Sequence, residues 1–111
     1  MIRTITREEL KSQLDRGERL ALLDVRRPES YDKGHLPGAV NIPLNEVESR
    51  AGELCEKNDP IVVYCGSFDC TLSPQAARIL SELGFENVTE FSGGFAHWRE
   101  AGYPVETSLA A

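Results

Sequence analysis

One stretch decides the fold class: IVVYCGSFDCTLSPQAARIL, which covers residues 61–80. Its first four residues, 61–64, are β-branched or aromatic and predict a buried strand. Ser73 and Pro74 suit the N-cap and the first position of a helix, and apolar residues follow them at helical spacing. The stretch therefore predicts a strand, a polar loop and a helix, which is the repeating unit of α/β domains with a mostly parallel sheet.

The rest of the chain alternates in the same way. Further strands are predicted at residues 20–25, 39–42 and 87–91. Helices are predicted from a capping box at Thr6 to Gly17, over residues 28–33 and 44–55, and around Trp98 up to Gly102. The 111 residues suit one domain with one core, and we place that core at about residues 5–104. Residues 105–111 are predicted to be a frayed tail.

Composition narrows the possible functions. The net charge is −6 and the cations form no run, which argues against nucleic-acid binding. The sequence has neither a stretch of membrane-spanning length nor a signal peptide, so we expect a cytoplasmic protein that does not bind membranes. The three cysteines, Cys55, Cys65 and Cys70, form no Cys-x-x-Cys motif, and only two histidines accompany them. We therefore predict neither a metal nor an organic cofactor.

The predicted chemistry centres on Cys65, the first residue beyond the strand at 61–64. Ligands of parallel sheets bind beyond the carboxyl ends of the strands. Backbone N–H groups of the loop and of the helix start can converge on the sulfur and lower its pKa. This position favours a nucleophilic thiolate in a cradle of amides. The alternative is that Cys65 is a small apolar residue at the end of a buried strand.

Two motifs resemble the signatures of the rhodanese family. Residues 31–42, YDKGHLPGAVNI, follow Asp24-Val25-Arg26 and resemble the N-terminal signature, and residues 88–98 resemble the C-terminal one. The resemblance implies a five-stranded, mostly parallel sheet flanked by helices on both faces, with an active-site loop that begins at Cys65. In active members this cysteine takes the outer sulfur of thiosulfate or another sulfane-sulfur donor. The resulting persulfide is passed to cyanide or to a thiol.

The loop departs from the common family pattern, in which an arginine and then a serine follow the cysteine after four residues. Aligning Ser73 with that serine puts Leu72 at the arginine position, with six residues between Cys65 and Leu72. The loop contains no cation and carries Asp69. Anion binding then falls to backbone amides and hydroxyls. The missing arginine also argues against the related phosphatases and arsenate reductases, which need a fixed cation.

Several roles stay open for the residues around Cys65. Cys70 is either a resolving thiol, able to form a disulfide with Cys65, or an alternative nucleophile. Phe68 either inserts into the core or presents an apolar contact. Asp24 and Arg26 either form an ion pair that orders the loop, or Arg26 lends it a charge. The remaining candidates for the substrate-binding loop are Gly66, Ser67, Asp69, Thr71 and Leu72.

Two functional hypotheses follow. The first is a sulfurtransferase with a persulfide on Cys65, a small sulfane-sulfur donor, and a small thiol, a thiol protein or cyanide as acceptor. A persulfide or polysulfide suits the arginine-free loop better than thiosulfate does. The second is a catalytically weak interaction or redox-sensing module that uses Cys65 and Cys70. Structural roles are predicted for Cys55, His35 and Trp98, and no role for a surface-exposed His97.

Overall fold

A computed structural model describes residues 2–108 of the chain. Five strands and five helices alternate along it. The strands are β1 (Arg3–Thr4), β2 (Ala21–Asp24), β3 (Val40–Asn41), β4 (Pro60–Tyr64) and β5 (Asn87–Phe91). The helices are α1 (Arg7–Asp15), α2 (Pro28–Lys33), α3 (Leu44–Leu54), α4 (Leu72–Glu82) and α5 (Gly94–Glu100).

The five strands form one parallel sheet in the order β1-β5-β4-β2-β3. The predicted α/β fold with a five-stranded parallel sheet is therefore confirmed. In the central part of the sheet Asp24, Tyr64 and Phe91 stand at the same level, so β2, β4 and β5 end together. Cys65 leaves the sheet from the middle of this carboxyl edge.

Helices cover both faces of the sheet, because the residues of β4 alternate between two cores. Ile61 and Val63 belong to the core beneath α3 and α4. Val62 and Tyr64 belong to the opposite core, which contains Trp98 of α5 together with Leu10 of α1. A parallel sheet that is buried on both faces leaves its carboxyl edge as a place where polar side chains can gather.

Helix ends follow the sequence signals at α1 but not at α4. Thr6 caps α1 in a complete capping box, and Gly17 follows its end with φ +69°. The prediction that Ser73 caps the helix that follows Cys65 is wrong. This helix, α4, begins at Leu72, and its N-cap is Thr71. The Ser73 hydroxyl contacts Cys65 and Glu90 and is not used as a cap.

The chain after α5 is hydrogen bonded back onto the domain. Glu106 and His35 exchange two backbone hydrogen bonds of 2.9 Å, and the Ser108 N–H donates to the carbonyl of Asp32 at 3.0 Å. Residues 105–108 of the predicted frayed tail therefore run against α2 and the loop that follows it, while residues 109–111 lie outside the described part. Within residues 2–108 there is no helix of the length and apolarity that crossing a membrane demands.

A buried ion pair joins several elements at the carboxyl edge. Asp24 is fully buried and accepts hydrogen bonds from the Arg26 guanidinium at 2.7 and 3.0 Å. The same guanidinium donates to the carbonyl of Gly34 at 2.6 Å and lies over the ring of Phe95 at 4.7 Å. The pair thus connects the end of β2 to the end of α2 and to the start of α5.

We predict that Arg26→Met lowers the free energy of unfolding by about 3 kcal/mol, because it leaves the Asp24 carboxylate buried without its partner. Arg27→Met is the matched control, since Arg27 is exposed and its side chain makes no capping hydrogen bond. The control should stay within about 0.5 kcal/mol of the wild type in urea denaturation. Equal stability of the two variants would contradict the role given to the ion pair.

Candidate active site

Cys65 lies at the base of the loop that connects β4 to α4, with only 1% of its surface exposed. Its sulfur accepts a hydrogen bond from the backbone N–H of Ser73 at 3.3 Å. Ser73 stands in the first turn of α4, where N–H groups have no partner within the helix. The helix start thus provides one amide of the cradle that the sequence predicts around this thiol.

Cys70 lies close enough to Cys65 for each thiol to influence the pKa of the other. A tight turn, closed by the Cys70 N–H on the carbonyl of Ser67 at 3.1 Å, returns the loop toward its own start. The backbone of Gly66 and of Leu72 acts to lower the pKa of Cys70. Both cysteines are free thiols. The long loop therefore brings together the two cysteines that the sequence analysis singled out.

The pKa values of the two thiols are displaced in opposite directions. Burial raises the pKa of Cys65, and its hydrogen bond to Cys70 adds to this effect, against the opposing influence of Ser73. Burial also acts to raise the pKa of Cys70. The hydrogen bonds from Cys65, Gly66 and Leu72 outweigh it, so that the pKa of Cys70 is lowered. The lowered pKa predicted for Cys65 is thus found at Cys70, because the loop amides converge there.

Arg26 contributes both of the effects that the sequence left open. Its guanidinium forms the ion pair with Asp24. Its positive charge also acts on the loop, where it helps to lower the pKa of Cys70. The charge is supplied from the end of β2, since the loop itself has no cation.

Two further residues extend the site behind Cys65. Ser73 is 1% exposed, and its hydroxyl oxygen lies 3.2 Å from the Cys65 sulfur. It donates to the carboxylate of Glu90 on β5 at 2.9 Å. The sequence analysis missed both roles. A signal existed for Glu90, because it stands two residues after buried Val88 and so shares the side of β5 that faces a core.

The side chains at the loop tip lie toward solvent. Phe68 is 66% exposed, and its ring meets the ring of His97 edge-on at a centroid distance of 4.9 Å. Phe68 therefore presents an apolar surface and does not enter the core. Asp69 and Thr71 are exposed and Ser67 is half-buried. The Ser73 N–H donates to the Cys65 sulfur, while the backbone of Gly66 and of Leu72 helps to lower the pKa of Cys70.

Outside the loop, the other residues singled out by sequence serve the scaffold. Cys55 is buried in the core beneath α3 and α4, and this burial raises its pKa. His35 is buried, and its ring stacks on the ring of Tyr31 at a centroid distance of 3.8 Å. Its Nδ1 is hydrogen bonded to the carbonyl oxygen of Tyr31 at 2.8 Å. Trp98 is completely buried. His97 is half-buried, not surface-exposed as expected, because Phe68 covers one side of its ring.

The start of α5 holds the first residues of the loop. The N–H groups of Phe95 and Ala96 donate to the carbonyls of Cys65 and Gly66 at 2.9 and 2.8 Å. Gly94 makes this approach possible: its φ is +65°, and a Cβ at this position would lie 2.5 Å from the Cys65 carbonyl oxygen. Both the positive φ angle and the close contact disfavour any side chain at this position.

We predict that Gly94→Ala destabilises the protein by about 2 kcal/mol more than Gly102→Ala does, and also displaces the loop. Gly102 is the matched control, because it has φ +77° but nothing within 4 Å of the place that an alanine methyl group would occupy. Both variants therefore carry backbone strain, whereas only Gly94→Ala adds a clash. Urea denaturation measures the difference, and a changed rate of Cys70 alkylation in Gly94→Ala alone reports the displacement. Indistinguishable variants would refute the contact.

Comparison with known proteins places the chain in a family. The sequence model described as "Rhodanese-like domain" matches residues 6–101. Over 73 residues the chain is 48% identical to the thiosulfate sulfurtransferase PspE of Escherichia coli, covering 65% of this chain and 67% of that protein. It is 30% identical to a protein named sulfurtransferase from Allochromatium vinosum over 105 residues, covering 95% of each chain.

Other relatives are longer. The chain is 44% identical to the HTH-type transcriptional regulator Rv0324 of Mycobacterium tuberculosis, covering 92% of this chain but 44% of that protein. It likewise covers 49% of the putative sulfur carrier protein YrkF of Bacillus subtilis, at 45% identity over 85% of this chain. The chain thus spans about half the length of these two relatives.

The solved structures agree with the sequence comparisons. The crystal structure of the Alr3790 protein from Anabaena superimposes with a TM-score of 0.88 at 36% identity, covering 96% of this chain and 94% of that one. The family match, these relatives and the shared architecture confirm the resemblance found in the two sequence signatures, and the chain belongs to the rhodanese-like family.

Proposed function

We propose that this protein is a sulfurtransferase that carries sulfane sulfur as a persulfide on Cys65 and passes it to a thiol or to cyanide. The observation that carries the proposal is the position of the Cys65 thiol at the carboxyl edge of the parallel sheet, where the backbone N–H of Ser73 at the start of α4 donates to its sulfur at 3.3 Å. The names of two relatives, thiosulfate sulfurtransferase and sulfurtransferase, support the same class of reaction.

The geometry supports a division of labour in the first transfer. The Cys65 sulfur attacks the outer sulfur of the donor, and the donor's S–S bond breaks, so that its remainder leaves with the electron pair. The Cys65 proton passes to Cys70, which lies nearby and, because its pKa is the lower of the two, is the thiol of the pair that ionises first. In the second transfer a thiolate or cyanide attacks the outer sulfur of the persulfide and releases Cys65.

The charges around the loop favour a donor of low charge. Residues 65–72 contain no cation and include Asp69. The Arg26 guanidinium is already engaged by Asp24 and by the carbonyl of Gly34. A dianion such as thiosulfate would have to rely on backbone amides, whereas an organic persulfide or polysulfide brings less charge from its sulfur atoms to neutralise. We therefore propose persulfides or polysulfides as the preferred donors.

A redox-sensing module is the second candidate, and the nearness of the two thiols favours it. A hydroperoxide would oxidise the thiol that ionises more readily to a sulfenic acid, and the sulfur of the other cysteine would then displace its hydroxyl group as water, which forms a Cys65–Cys70 disulfide. The product distinguishes redox sensing from sulfur transfer. Redox sensing ends in a disulfide, whereas sulfur transfer ends in a sulfur atom added to the protein.

We predict that the wild type and Cys70→Ser each gain one sulfur atom from a polysulfide, whereas Cys65→Ser gains none. Loading of Cys70→Ser should be about tenfold slower, because the proton acceptor is lost. Intact-mass spectrometry measures the gain, and thiosulfate in place of polysulfide should load the wild type more slowly. Cys55→Ser is the control: Cys55 is buried in the core, so its variant should load like the wild type.

Failure of every variant to gain sulfur, or formation of a Cys65–Cys70 disulfide in its place, would contradict the sulfurtransferase proposal. Loading of Cys65→Ser but not of Cys70→Ser would instead assign the persulfide to Cys70. Reduction by a phosphine before the measurement removes any sulfur carried through purification, so that the added mass reports the reaction itself.

A further inference from the structure

Glu90 occupies an unusual place for a carboxylate. It lies in β5, inside the parallel sheet, level with Val63 of β4. Within residues 2–108 no cation lies within ion-pair distance of it, so the side chain does not serve a salt bridge there. The carboxylate accepts a hydrogen bond from the Ser73 hydroxyl at 2.9 Å. Its one described side-chain partner therefore connects it to the sulfur of Cys65.

The direction in which the Ser73 hydroxyl donates its one proton determines whether it favours Cys65 as a thiol or as a thiolate. A serine hydroxyl has a single proton, and an ionised carboxylate can only accept. Ser73 donates its proton to Glu90, so at 3.2 Å from the Cys65 sulfur it can offer that sulfur only a lone pair. A lone pair suits the neutral thiol, which donates S–H to it. The same lone pair opposes a thiolate.

We propose that Glu90 is a positioning residue that acts through Ser73: it holds Cys65 as the neutral thiol in the free protein. The consequence for sulfur transfer rests on the function proposed above. The ionisation of the thiols does not, since it is a property of the free protein.

The other polar and charged groups around the pair fit this assignment. From the end of β2, the positive charge of Arg26 acts on Cys70. Gly66 of the loop and Leu72, the first residue of α4, also act to lower the pKa of Cys70. From α4, the N–H of Ser73 donates to the Cys65 sulfur and favours a thiolate there. The Ser73 hydroxyl would lower the pKa of Cys65 as well by donating to the sulfur, and its hydrogen bond to Glu90 withdraws that proton.

The arrangement protects the buried thiol until a donor arrives. Thiolates, not thiols, react with oxidants and alkylating agents. A neutral Cys65 is therefore unreactive toward these reagents in the free protein. It becomes a nucleophile when its proton leaves the sulfur.

The test measures the ionisation of Cys65 alone, in a Cys55→Ser/Cys70→Ser background that has no other cysteine. Ultraviolet thiolate absorbance is followed during a pH titration. Glu90→Val removes the acceptor and Glu90→Gln removes the charge. With the acceptor gone, the Ser73 hydroxyl is free to donate to the sulfur, so the pKa of Cys65 should fall by about one pH unit in Glu90→Val. A smaller fall is expected in Glu90→Gln, whose amide can still accept from Ser73.

Two controls separate this effect from a general loss of charge or of fold. Glu86→Gln removes an exposed carboxylate just before β5 and should leave the pKa of Cys65 unchanged. In a Ser73→Ala background, Glu90→Val should also leave it nearly unchanged, because the group through which Glu90 acts is gone. Circular dichroism spectra matching the background protein verify that each variant is folded.

An unchanged or raised pKa of Cys65 in folded Glu90→Val would overturn the proposal, and so would an equal fall with and without Ser73. In the wild type, alkylation by iodoacetamide near neutral pH should modify Cys70 before Cys65, and the reverse order would also overturn it. These measurements use no sulfur donor. Their outcome is therefore independent of whether the protein transfers sulfur, which the mass measurements decide.

Discussion

The ion pair between Asp24 and Arg26 is the constraint on which the carboxyl edge of the sheet depends. A carboxylate with no exposed surface is stable only when its charge is paired, and the Arg26 guanidinium pairs it through three hydrogen bonds. The arginine is then fixed in position. Its guanidinium also donates to the carbonyl of Gly34, and its flat face lies over the ring of Phe95. The N–H of Phe95 in turn holds the start of the loop through the carbonyl of Cys65. One buried charge thereby organises elements that are far apart in sequence.

The parallel register turns this ordered edge into a chemical site. Because β4 and β5 run side by side, Glu90 stands next to Val63, two residues before Cys65. Helix α4, which follows the loop, places Ser73 at the same edge, within hydrogen-bond distance of Cys65 and of Glu90. An antiparallel neighbour would present its opposite end here. The site therefore follows from strand direction as much as from the loop sequence.

Sequence patterns were sufficient for the fold and for the position of Cys65, since apolar periodicity and helix signals are local. They failed where longer-range contacts decide. Ser73 carries the chemistry of an N-cap, yet the helix begins before it because its hydroxyl finds partners in Glu90 and Cys65. The two-residue strand β1 is too short and too exposed to show a pattern. The contact between Cys65 and Cys70 depends on loop geometry, which residue types do not determine.

The family's common loop uses an arginine after the cysteine, and this chain has a leucine there and a longer loop. A fixed cation stabilises a negative charge directly beside it. Here the negative charge is accommodated differently: amides of Gly66 and Leu72 and the more distant Arg26 act on Cys70. Under the proposed function the second cysteine has a different role from the arginine, since a thiolate next to Cys65 can accept its proton but cannot neutralise an anion. On that proposal, a loop with a base and no cation suits donors that bring little negative charge, which links the departure from the family pattern to the proposed substrates.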